Sequence, residues 1–552
     1  MNAPVISESE AQKDVEAFPL LNDEEMQEAI KCGRIERYTA GETLFEAGEM
    51  PIDCFVSISG DLDIVDTSGE EERLIVTHEP RSLVGDLNIL AGRPAIAACR
   101  ARENAEVIRL TASEVRSLLV RAASLSEKWI NAFIRRRELL EESGFEGLRV
   151  YGDHNDPATL RVREFMHRNG VPHRWIDTSD AATLSELDKK PEAFPAIAWR
   201  HRILLENPSL RDLAIQIGVK RKIPEQLFDT VIIGSGPAGL GAAVYAASEG
   251  LSTVVLDRIG PGGQAGSSSR IENYAGFPAG LSGRELALKS YVQALKFGAI
   301  FSSPVSVISL GCLQDGVHEI GLDDGSVVRS KTVIISTGVT YRSMGVAGLQ
   351  ELRGAGIFYA ATRVEAVLCK GHPVHIIGAG NSAGQAAMFL SNFSDQVNLI
   401  VRGSDLTKSM SSYLSERVVV NPRIKIRLQS ELRAVEGHDC LTGVRIENTA
   451  SGEMTQEESA GIFVFIGASP CTDFLGTGIC KDNKGFLLTG TDVSSNASWP
   501  LTTRSPLPLE TSCPGIFAAG DCRARTTKRV AAAIGDGALA VTCVHDYLGT
   551  YE

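Results

Sequence analysis

The chain alternates between short apolar runs and polar, turn-rich segments, and the spacing of these runs changes along its length. Between Cys32 and Leu110 the runs TLFEAGE, CFVSISGDLDIVD, RLIVTHE and AEVIRLT are short and closely spaced, which predicts a small β-barrel or jelly roll. Apolar positions at helical spacing follow over residues 112–120 and 124–140 and predict two helices. Residues 1–145 are therefore expected to form one domain.

The pattern changes to alternating strands and helices over residues 146–224. LRVYG reads as a strand, DPATLRVREFMHRNG as a helix that ends at Gly170, and HRWID and FPAIAWR as two further strands. NPSLRDLAIQIG predicts a helix capped by Asn207. This βαβ and βα order predicts an α/β domain.

A glycine-rich turn follows a buried-type strand over residues 230–233. Gly234, Gly236 and Gly239 form a G-x-G-x-x-G turn that opens an Ala-rich helix. The first glycine permits the tight turn, the second lets the backbone approach a pyrophosphate, and the third lets the helix pack closely on the strand. The next β-branched run ends in Asp257, placed to accept hydrogen bonds from a ribose. Together these features predict a dinucleotide site.

A second strand, glycine-rich turn and helix of the same kind is predicted in VHIIGAGNSAGQAA. Its turn consists of Gly378, Gly380, Asn381, Ser382 and Ala383. The following strand, NLIVRGSDLTKS, carries Arg402 where an acid would select NADH. A cation there suits the extra phosphate of NADPH, which is favoured while NADH stays open.

Length and composition limit the function classes. A chain of 552 residues is expected to divide into three or four domains, and its formal charge of −14 disfavours nucleic acid as the main partner. No apolar run has the length of a membrane span and the N-terminus lacks a signal-peptide pattern, so a cytoplasmic protein is expected. The 11 cysteines are scattered without any C-x-x-C, which predicts neither a disulfide framework nor a metal site.

The stretches AGETLFEAGE and SISGDLDIV resemble the cyclic-nucleotide-binding domain family, whose phosphate cassette would lie at residues 83–98. Gly85 keeps its place, Asp86 stands where the family has a Glu for the ribose hydroxyl, and Ala95 stands where it has an Arg for the cyclic phosphate. Arg93, two positions earlier, is the cation that could take over that role. A cyclic nucleotide ligand therefore stays open, and a degenerate domain acting as dimer scaffold or as sensor of another ligand is favoured.

Residues 146–224, with Pro195 just before a strand, resemble a glutaredoxin or thioredoxin fold. In that family a C-x-x-C lies between the first strand and the first helix. The corresponding stretch here, DHNDPAT at residues 153–159, contains no cysteine, so a dithiol relay is excluded in this domain. A structural or docking role is expected.

The largest resemblance covers residues 225–552. GPGGQAGSSSRIENYAGFP, VIISTG and GIFAAGDCRARTTKRVAAAIGDGALA, with the two turns, resemble the thioredoxin-reductase-like branch of two-dinucleotide-binding-domain flavoproteins. The resemblance implies an FAD-binding domain in two parts, 225–354 and 467–552, with an NAD(P)H-binding domain, 355–466, inserted between them, and usually a homodimer. It further implies FAD contacts at Gln264, Asn273, Thr337, Gly338, Gly520, Asp521 and Val530.

One departure from this family concerns its redox cysteines. In thioredoxin reductases of this type a C-x-x-C precedes the second Rossmann strand, and here Ala360 and Arg363 hold the two cysteine places. The usual disulfide relay is therefore absent. Arg363 could stabilise a reduced flavin or a substrate anion, or form a surface ion pair. Cys522 is expected near the flavin, as a packing residue rather than a redox thiol. No catalytic residue is assigned.

The resulting prediction is a multidomain protein with a β-barrel, a thioredoxin-like α/β domain and two Rossmann-like domains. Its predicted function is an FAD-dependent NAD(P)H oxidoreductase that passes electrons to an external acceptor, such as a ferredoxin-like protein or a quinone, with regulation by the N-terminal domain. Two alternatives stay open. One is thioredoxin reduction through thiols of a partner, and the other is a non-catalytic redox sensor.

Overall fold

The computed structural model describes residues 14–549, with gaps at 68–71, 143–147, 154–155, 179–183, 186, 200–201, 269–270, 272–273, 313–315, 342–343, 347, 350–351, 353–355, 360, 362, 439 and 496–498. Within these ranges no helix is both long and apolar enough to cross a membrane.

The first unit contains two four-stranded antiparallel sheets, ordered β1-β8-β3-β6 and β2-β7-β4-β5. The strands are β1 Arg34–Tyr38, β2 Thr43–Phe45, β3 Cys54–Ser59, β4 Leu62–Asp66, β5 Arg73–His78, β6 Leu83–Val84, β7 Ala98–Ala101 and β8 Ala105–Leu110. The helices are α1 Asp23–Cys32, α2 Leu87–Ala91, α3 Ala112–Arg121 and α4 Ala123–Glu142. Helix α1 was not predicted, although its capping box between Asn22 and Glu25 is a recognisable sequence signal.

The second unit has one mixed four-stranded sheet, ordered β10-β9-β11-β12. Its elements are β9 Leu148–Tyr151, α5 Pro157–Arg168, β10 Arg174–Ile176, β11 Ala196–Trp199, β12 Arg202–Glu206 and α6 Leu210–Gln216. Strand β10 is parallel to β9, whereas β11 is antiparallel to both β9 and β12. The predicted cap of α6 was wrong: Ser209 accepts the hydrogen bond from the N–H of Asp212, and Asn207 lies before the helix.

The third unit is built on a seven-stranded sheet, in which β15-β14-β13-β18-β17-β16 are neighbours and β29 pairs with β18. Its strands are β13 Leu227–Ile233, β14 Thr253–Leu256, β15 Ile300–Ser302, β16 Val307–Cys312, β17 His318–Leu322, β18 Val327–Ile335 and β29 Ile516–Ala518. Its helices are α7 Pro237–Ser248, α8 Gly283–Lys296, α12 Thr491–Ser495 and α13 Val530–Gly549. Because β13 and β29 both lie parallel beside β18, the segments that follow them in the chain meet at one edge of the sheet.

The fourth unit lies in sequence between β18 and β29. Five parallel strands are ordered β20-β27-β21-β22-β23, and a three-stranded antiparallel sheet, β24-β25-β26, follows β23. The elements are β20 Ile357–Phe358, α9 Arg363–Leu368, β21 Val374–Ile377, α10 Asn381–Leu390, β22 Val397–Val401, α11 Ser412–Val420, β23 Ile424–Leu428, β24 Ser430–Gly437, β25 Leu441–Asn448, β26 Met454–Glu458 and β27 Gly461–Val464. The short antiparallel pair β19 Val339–Tyr341 and β28 Ala468–Pro470 connects it to the third unit.

The first and third units share a hydrophobic core. Buried residues of α2, among them Leu87 and Leu90, belong to the same cluster as Ala287 and Tyr291 of α8. At the edge of this interface Lys296 donates to the Ser126 hydroxyl at 2.7 Å. The N-terminal unit is thus packed directly on the unit that carries the first dinucleotide turn.

The cysteines follow the sequence prediction in part. Cys54, Cys99, Cys369, Cys522 and Cys543 are buried free thiols. Cys513, by contrast, is disulfide-bonded; the sequence prediction spoke only against a disulfide framework and did not identify this bond.

Candidate functional site

The first glycine turn lies between β13 and α7, where side chains are excluded by the backbone around it. Gly234 has φ +102°, and a Cβ added there would lie 2.5 Å from the backbone oxygen of Ser336. A Cβ on Gly239 would lie 1.9 Å from the backbone oxygen of Gly234, so the helix could not pack this closely on the strand with any larger residue. Ser336 also donates its hydroxyl to the oxygens of Ile233 and Gly234, at 3.0 and 2.9 Å. This serine was not predicted, although it directly precedes Thr337.

The N-terminus of α7 is open in a way that suits a phosphate group. Its N-cap is Gly236, which offers no side-chain hydrogen bond, whereas Thr111 caps α3 and Ser282 caps α8 through their side chains. The free N–H groups of the first turn and the helix dipole favour an anion there. The Ser235 hydroxyl is buried and has no hydrogen-bond partner in the described part of the chain. The turn therefore fits the pyrophosphate of FAD, on residues present in this chain.

Asp257 lies directly beside this turn. One carboxylate oxygen accepts from the N–H of Ser235 at 2.7 Å, and the other accepts from Ile259 and Gly260 at 2.9 and 2.8 Å. Since a carboxylate has about four acceptor positions, one remains for a ribose hydroxyl. The carboxylate of Asp257, the predicted ribose contact, is thus already oriented by backbone N–H groups.

Gly520 and Asp521, distant in sequence, lie next to the same turn. A Cβ on Gly520, which has φ +75°, would lie 2.8 Å from the Cβ of Ala238 in the first turn of α7. The N–H of Gly520 donates to the Asp536 carboxylate at 3.1 Å, and the Arg523 guanidinium also binds that carboxylate, at 3.0 Å. Burial raises the pKa of Asp521, while the charge of Lys528 opposes this shift. Asp536 was missed by the sequence analysis because it lies inside a helix, six residues after the predicted contact Val530.

Cys522 lies beside Thr337 and Gly338 at the end of β18. Burial raises the pKa of its thiol to about 11, against smaller opposing effects of the Gly338 backbone and the Thr337 hydroxyl. The thiol donates to the oxygens of Ile335 and Ala519, both at 3.4 Å. A protonated thiol held in this way is a packing group, because thiol chemistry requires the thiolate.

The other predicted flavin contacts lie on the segments around residues 264–273 and at the start of α13. Gln264 is exposed and precedes a short 3₁₀ turn at Ala265–Ser267. Val530 is the first residue of α13 and packs against a small apolar cluster that includes Ile271 and Leu281. Asn273 lies outside the described residues. The same is true of Ala360, and the side chain of Arg363, the first residue of α9, is not described either.

The second glycine turn repeats the local geometry of the first. Gly378 has φ +147°, and a Cβ there would lie 2.4 Å from the backbone oxygen of Phe465. Gly380 is the N-cap of α10 without a side-chain hydrogen bond, Ser382 is exposed in its first turn, and Ala383 is fully buried. The Asn381 side chain accepts from the N–H of Ser411 at 2.7 Å. This open helix N-terminus fits the pyrophosphate of a nicotinamide dinucleotide.

Arg402 follows β22 directly and is exposed. Among the described residues it has neither an ion pair nor a hydrogen bond. In the same ranges no group of three or more His, Cys, Asp and Glu side chains is arranged to hold a metal ion. Arg402 is therefore free to contact an anionic group at the end of this strand.

In the cassette of the first unit, residues 83–98, Asp86 and Gly85 already form contacts within the protein. Asp86 is the N-cap of α2, accepting from the N–H of Asn88 at 3.0 Å, and lies 3.7 Å from the Arg137 guanidinium. Gly85, with φ +152°, accepts from Arg136 through its backbone oxygen at 2.7 Å. Burial raises the pKa of Asp86, although the charge of Arg137 opposes this.

Arg93 does not lie over the cassette in the manner that the sequence suggested. Arg93 is only 7% exposed, and its guanidinium donates to the backbone oxygen of Asn169, in the second unit, at 2.5 Å. Its other terminal nitrogen lies 3.4 Å from the hydroxyl of Tyr291, in the third unit. Arg93 is thus a contact between units, a role that sequence spacing could not reveal.

Comparisons with known proteins agree with the two parts of the chain that carry recognisable motifs. Residues 228–537 match the pyridine nucleotide-disulphide oxidoreductase family, and residues 35–122 match the cyclic nucleotide-binding domain family. These matches confirm the resemblances stated for the N-terminal strands and for the two glycine turns. They do not test the thioredoxin-like interpretation of residues 146–224.

Individual relatives give the same result. The chain is 33% identical over 325 residues to a thioredoxin reductase of Treponema pallidum, covering 98% of that protein and 59% of this chain. It is 31% identical over 327 residues to a thioredoxin reductase of Bacillus subtilis, covering 96% of that protein and 59% of this chain. Among solved structures, the thioredoxin reductase of T. acidophilum is similar with a TM-score of 0.53 at 30% identity, over 59% of this chain and 100% of that one.

Proposed function

The chain belongs to the pyridine nucleotide-disulphide oxidoreductase family, and on this basis we propose that it is an FAD-dependent NADPH oxidoreductase that delivers electrons to an acceptor outside the chain. Thioredoxin reductases, its relatives, use FAD and NADPH. When bound, FAD supplies a ring that can take up a hydride from a nicotinamide and pass electrons on. The remaining question is what this chain's own residues contribute.

One observation supports an external acceptor other than the usual disulfide. Both dinucleotide turns are kept, whereas the cysteine places of the relay hold Ala360 and Arg363. The cysteine beside the turn, Cys522, is a buried thiol with a pKa raised to about 11, so it offers no substitute. Because this chain supplies no relay cysteines, the proposed acceptor is a partner outside the chain, such as a ferredoxin-like redox protein or a quinone.

The binding roles follow from the geometry of the two turns. In the first, the open N-terminus of α7 would hold the pyrophosphate of FAD, Asp257 would hold the ribose, and Gly520 and Asp521 would contact the ribityl and phosphate part of the cofactor. Asp536 keeps Gly520 in place through its N–H. In the second, the open N-terminus of α10 would hold the pyrophosphate of NADPH, and Arg402 would hold its additional phosphate.

The second unit has a docking role in this proposal. It lacks the cysteines of a dithiol relay, and its Asn169 side chain is fixed to the third unit by hydrogen bonds to Ile259 and Ser303, at 2.7 and 2.9 Å. Because Arg93 binds the backbone oxygen of the same residue, a ligand-induced movement of the N-terminal unit would be transmitted to the segment just after Asp257. We include this regulation, and a homodimeric assembly, in the proposal.

The decisive experiment is anaerobic stopped-flow absorbance of the FAD-loaded full chain mixed with NADPH, and separately with NADH. Rapid bleaching of the flavin by NADPH, followed by reoxidation when a ferredoxin or a quinone is added, would support the proposal. Reoxidation only by thioredoxin would favour partner thiols instead. A flavin that bleaches once and is not reoxidised by any of these acceptors would favour a sensor and contradict the proposed turnover.

The proposed regulation has its own measurement. Turnover with the best acceptor is compared between the full chain and a chain lacking residues 1–145, each with and without cyclic AMP. A change in rate when cyclic AMP is added to the full chain, absent from the shortened chain, supports the coupling. Equal rates in all four samples would contradict it without affecting the proposed reductase activity.

A further inference from the structure

Three arginines lie on segments that meet where the first, second and third units pack together. Arg93 follows α2, Arg116 lies on α3, and Arg221 lies in the segment that leads from α6 to β13. We call them the junction arginines. Arg93 is buried, and Arg116 and Arg221 are partly buried.

Two of the junction arginines flank a single turn. The Arg93 guanidinium binds the backbone oxygen of Asn169 and approaches the Tyr291 hydroxyl. The Arg221 guanidinium lies on the preceding residue, Gly92, so closely that a Cβ there would be 2.6 Å from its Cζ. Gly92 has φ +60°, and the absence of a side chain makes room for this second cation.

Two of the junction arginines, Arg116 and Arg221, have charges that no described residue compensates. Neither Arg116 nor Arg221 has an ion pair or hydrogen bond with any residue in the ranges that the structure describes. Burial lowers the pKa of both side chains, and the charge of Arg221 lowers the pKa of Arg116 further. The charge of Arg93 acts on Arg221 in the same direction. Partly buried like charges repel each other more strongly than exposed ones, because less water screens them.

A cation next to this group in sequence does have an ion-pair partner. Lys220, one residue before Arg221, pairs with Asp324 at 3.0 Å. Asp86, the carboxylate close to Arg93, caps α2 and faces Arg137. The acids near this region, Asp324 and Asp86, therefore interact with Lys220 and Arg137 instead of Arg116 and Arg221. In a chain with a net charge of −14, two partly buried arginines, Arg116 and Arg221, without a partner among the described residues need an explanation.

We propose that the junction arginines bind a phosphate-bearing anion at the meeting point of the three units. The planar guanidinium group matches two oxygens of a phosphate, and the Tyr291 hydroxyl lies beside Arg93 as a further donor. A bound phosphate would remove the repulsion between the arginines and connect side chains from all three units. The site differs from both dinucleotide turns and involves none of their residues.

The ligand is tested with inorganic phosphate, a nucleoside 5′-monophosphate and cyclic AMP. Each is titrated by calorimetry into the FAD-loaded full chain at constant ionic strength. Phosphate is expected to bind, and R116Q and R221Q are each expected to weaken binding about tenfold, the loss of a charge-assisted hydrogen bond. R37Q, which changes an exposed arginine paired with Glu106, should leave the affinity unchanged. A nucleotide that binds more tightly than phosphate, with the same loss in the variants, would identify a nucleotide as the source of the phosphate.

Thermal unfolding provides a second readout that does not depend on calorimetry. Without phosphate, R221Q should unfold at a higher temperature than the wild type because it removes a repulsion. With saturating phosphate, the wild type should gain more stability than the variant. The proposal is overturned if none of the three anions binds at millimolar concentration, if the variants bind as the wild type does, or if R221Q destabilises the phosphate-free protein.

Discussion

The side-chain amide of Asn169 donates to the backbone oxygen of Ile259 at 2.7 Å, two residues after the predicted ribose acid. The same side chain accepts from the Ser303 hydroxyl at 2.9 Å, and it is only 2% exposed. A residue of the second unit thus completes the hydrogen bonding of a loop in the third unit. Through its backbone oxygen it is also the contact point for Arg93 of the first unit.

Asn169→Leu should lower both stability and flavin retention. The substitution leaves the partly buried Ile259 oxygen and the buried Ser303 hydroxyl unpaired, at a cost of about 1–3 kcal/mol for each group. We expect flavin release at lower urea concentration, followed by flavin fluorescence. Asn392→Leu removes an amide whose hydrogen bonds lie at the surface and is the matched control. Equal urea profiles for the two variants would show that the interunit contact contributes nothing.

Asp536→Ala should weaken FAD binding without touching the predicted flavin contacts. The Gly520 N–H loses its acceptor and the Arg523 guanidinium loses its ion pair. A lost hydrogen bond to a charged group costs about 1.5–3 kcal/mol, which corresponds to a Kd raised about tenfold to a hundredfold. The Kd is measured by titrating FAD into the apoprotein. Asp546→Ala, an exposed position of the same helix, should leave it unchanged.

Arg402→Gln should reduce the preference for NADPH. If the exposed guanidinium binds the additional phosphate, its removal should raise the KM for NADPH about tenfold while the KM for NADH stays the same. The readout is steady-state turnover with either donor. Arg445→Gln changes an exposed arginine of the same unit and serves as control. A parallel rise in both KM values would contradict a role in phosphate recognition.

Glu457 should make the stability of the fourth unit depend on pH. The hydrogen bond to His375, assisted by the charges of Arg427 and His375, lowers the pKa of this carboxyl from 4.5 to about 2. Since the folded pKa lies below the unfolded one, the stabilisation is complete above about pH 4.5 and is lost as the pH falls towards 2. The difference in free energy of unfolding between the wild type and Glu457→Gln should therefore narrow from pH 6 to pH 3. Glu458→Gln, at an exposed position, should show no such narrowing.

Sequence patterns were sufficient to predict the turns and helices that depend on neighbouring residues alone. The glycine turns at 234–239 and 378–383 were predicted because a tight turn, a close backbone approach and a packed helix each restrict the residue at a fixed spacing. The helices over 112–121 and 123–142 were predicted within two residues of their ends. The cap of α6 was assigned to Asn207 instead of Ser209, because both residues are good caps and only the backbone conformation distinguishes them.

The amino-acid sequence by itself determined the dinucleotide turns, the family and the absence of the redox cysteine pair, because each of these is a matter of which residue stands at which spacing. The tertiary structure alone decided the contacts of Arg93, Asn169 and Asp536. Their partners lie 76 residues apart for Arg93 and Asn169, 90 for Asn169 and Ile259, and 16 for Gly520 and Asp536. Contacts of this kind depend on how whole units pack on each other, and no periodicity in the chain encodes that packing directly.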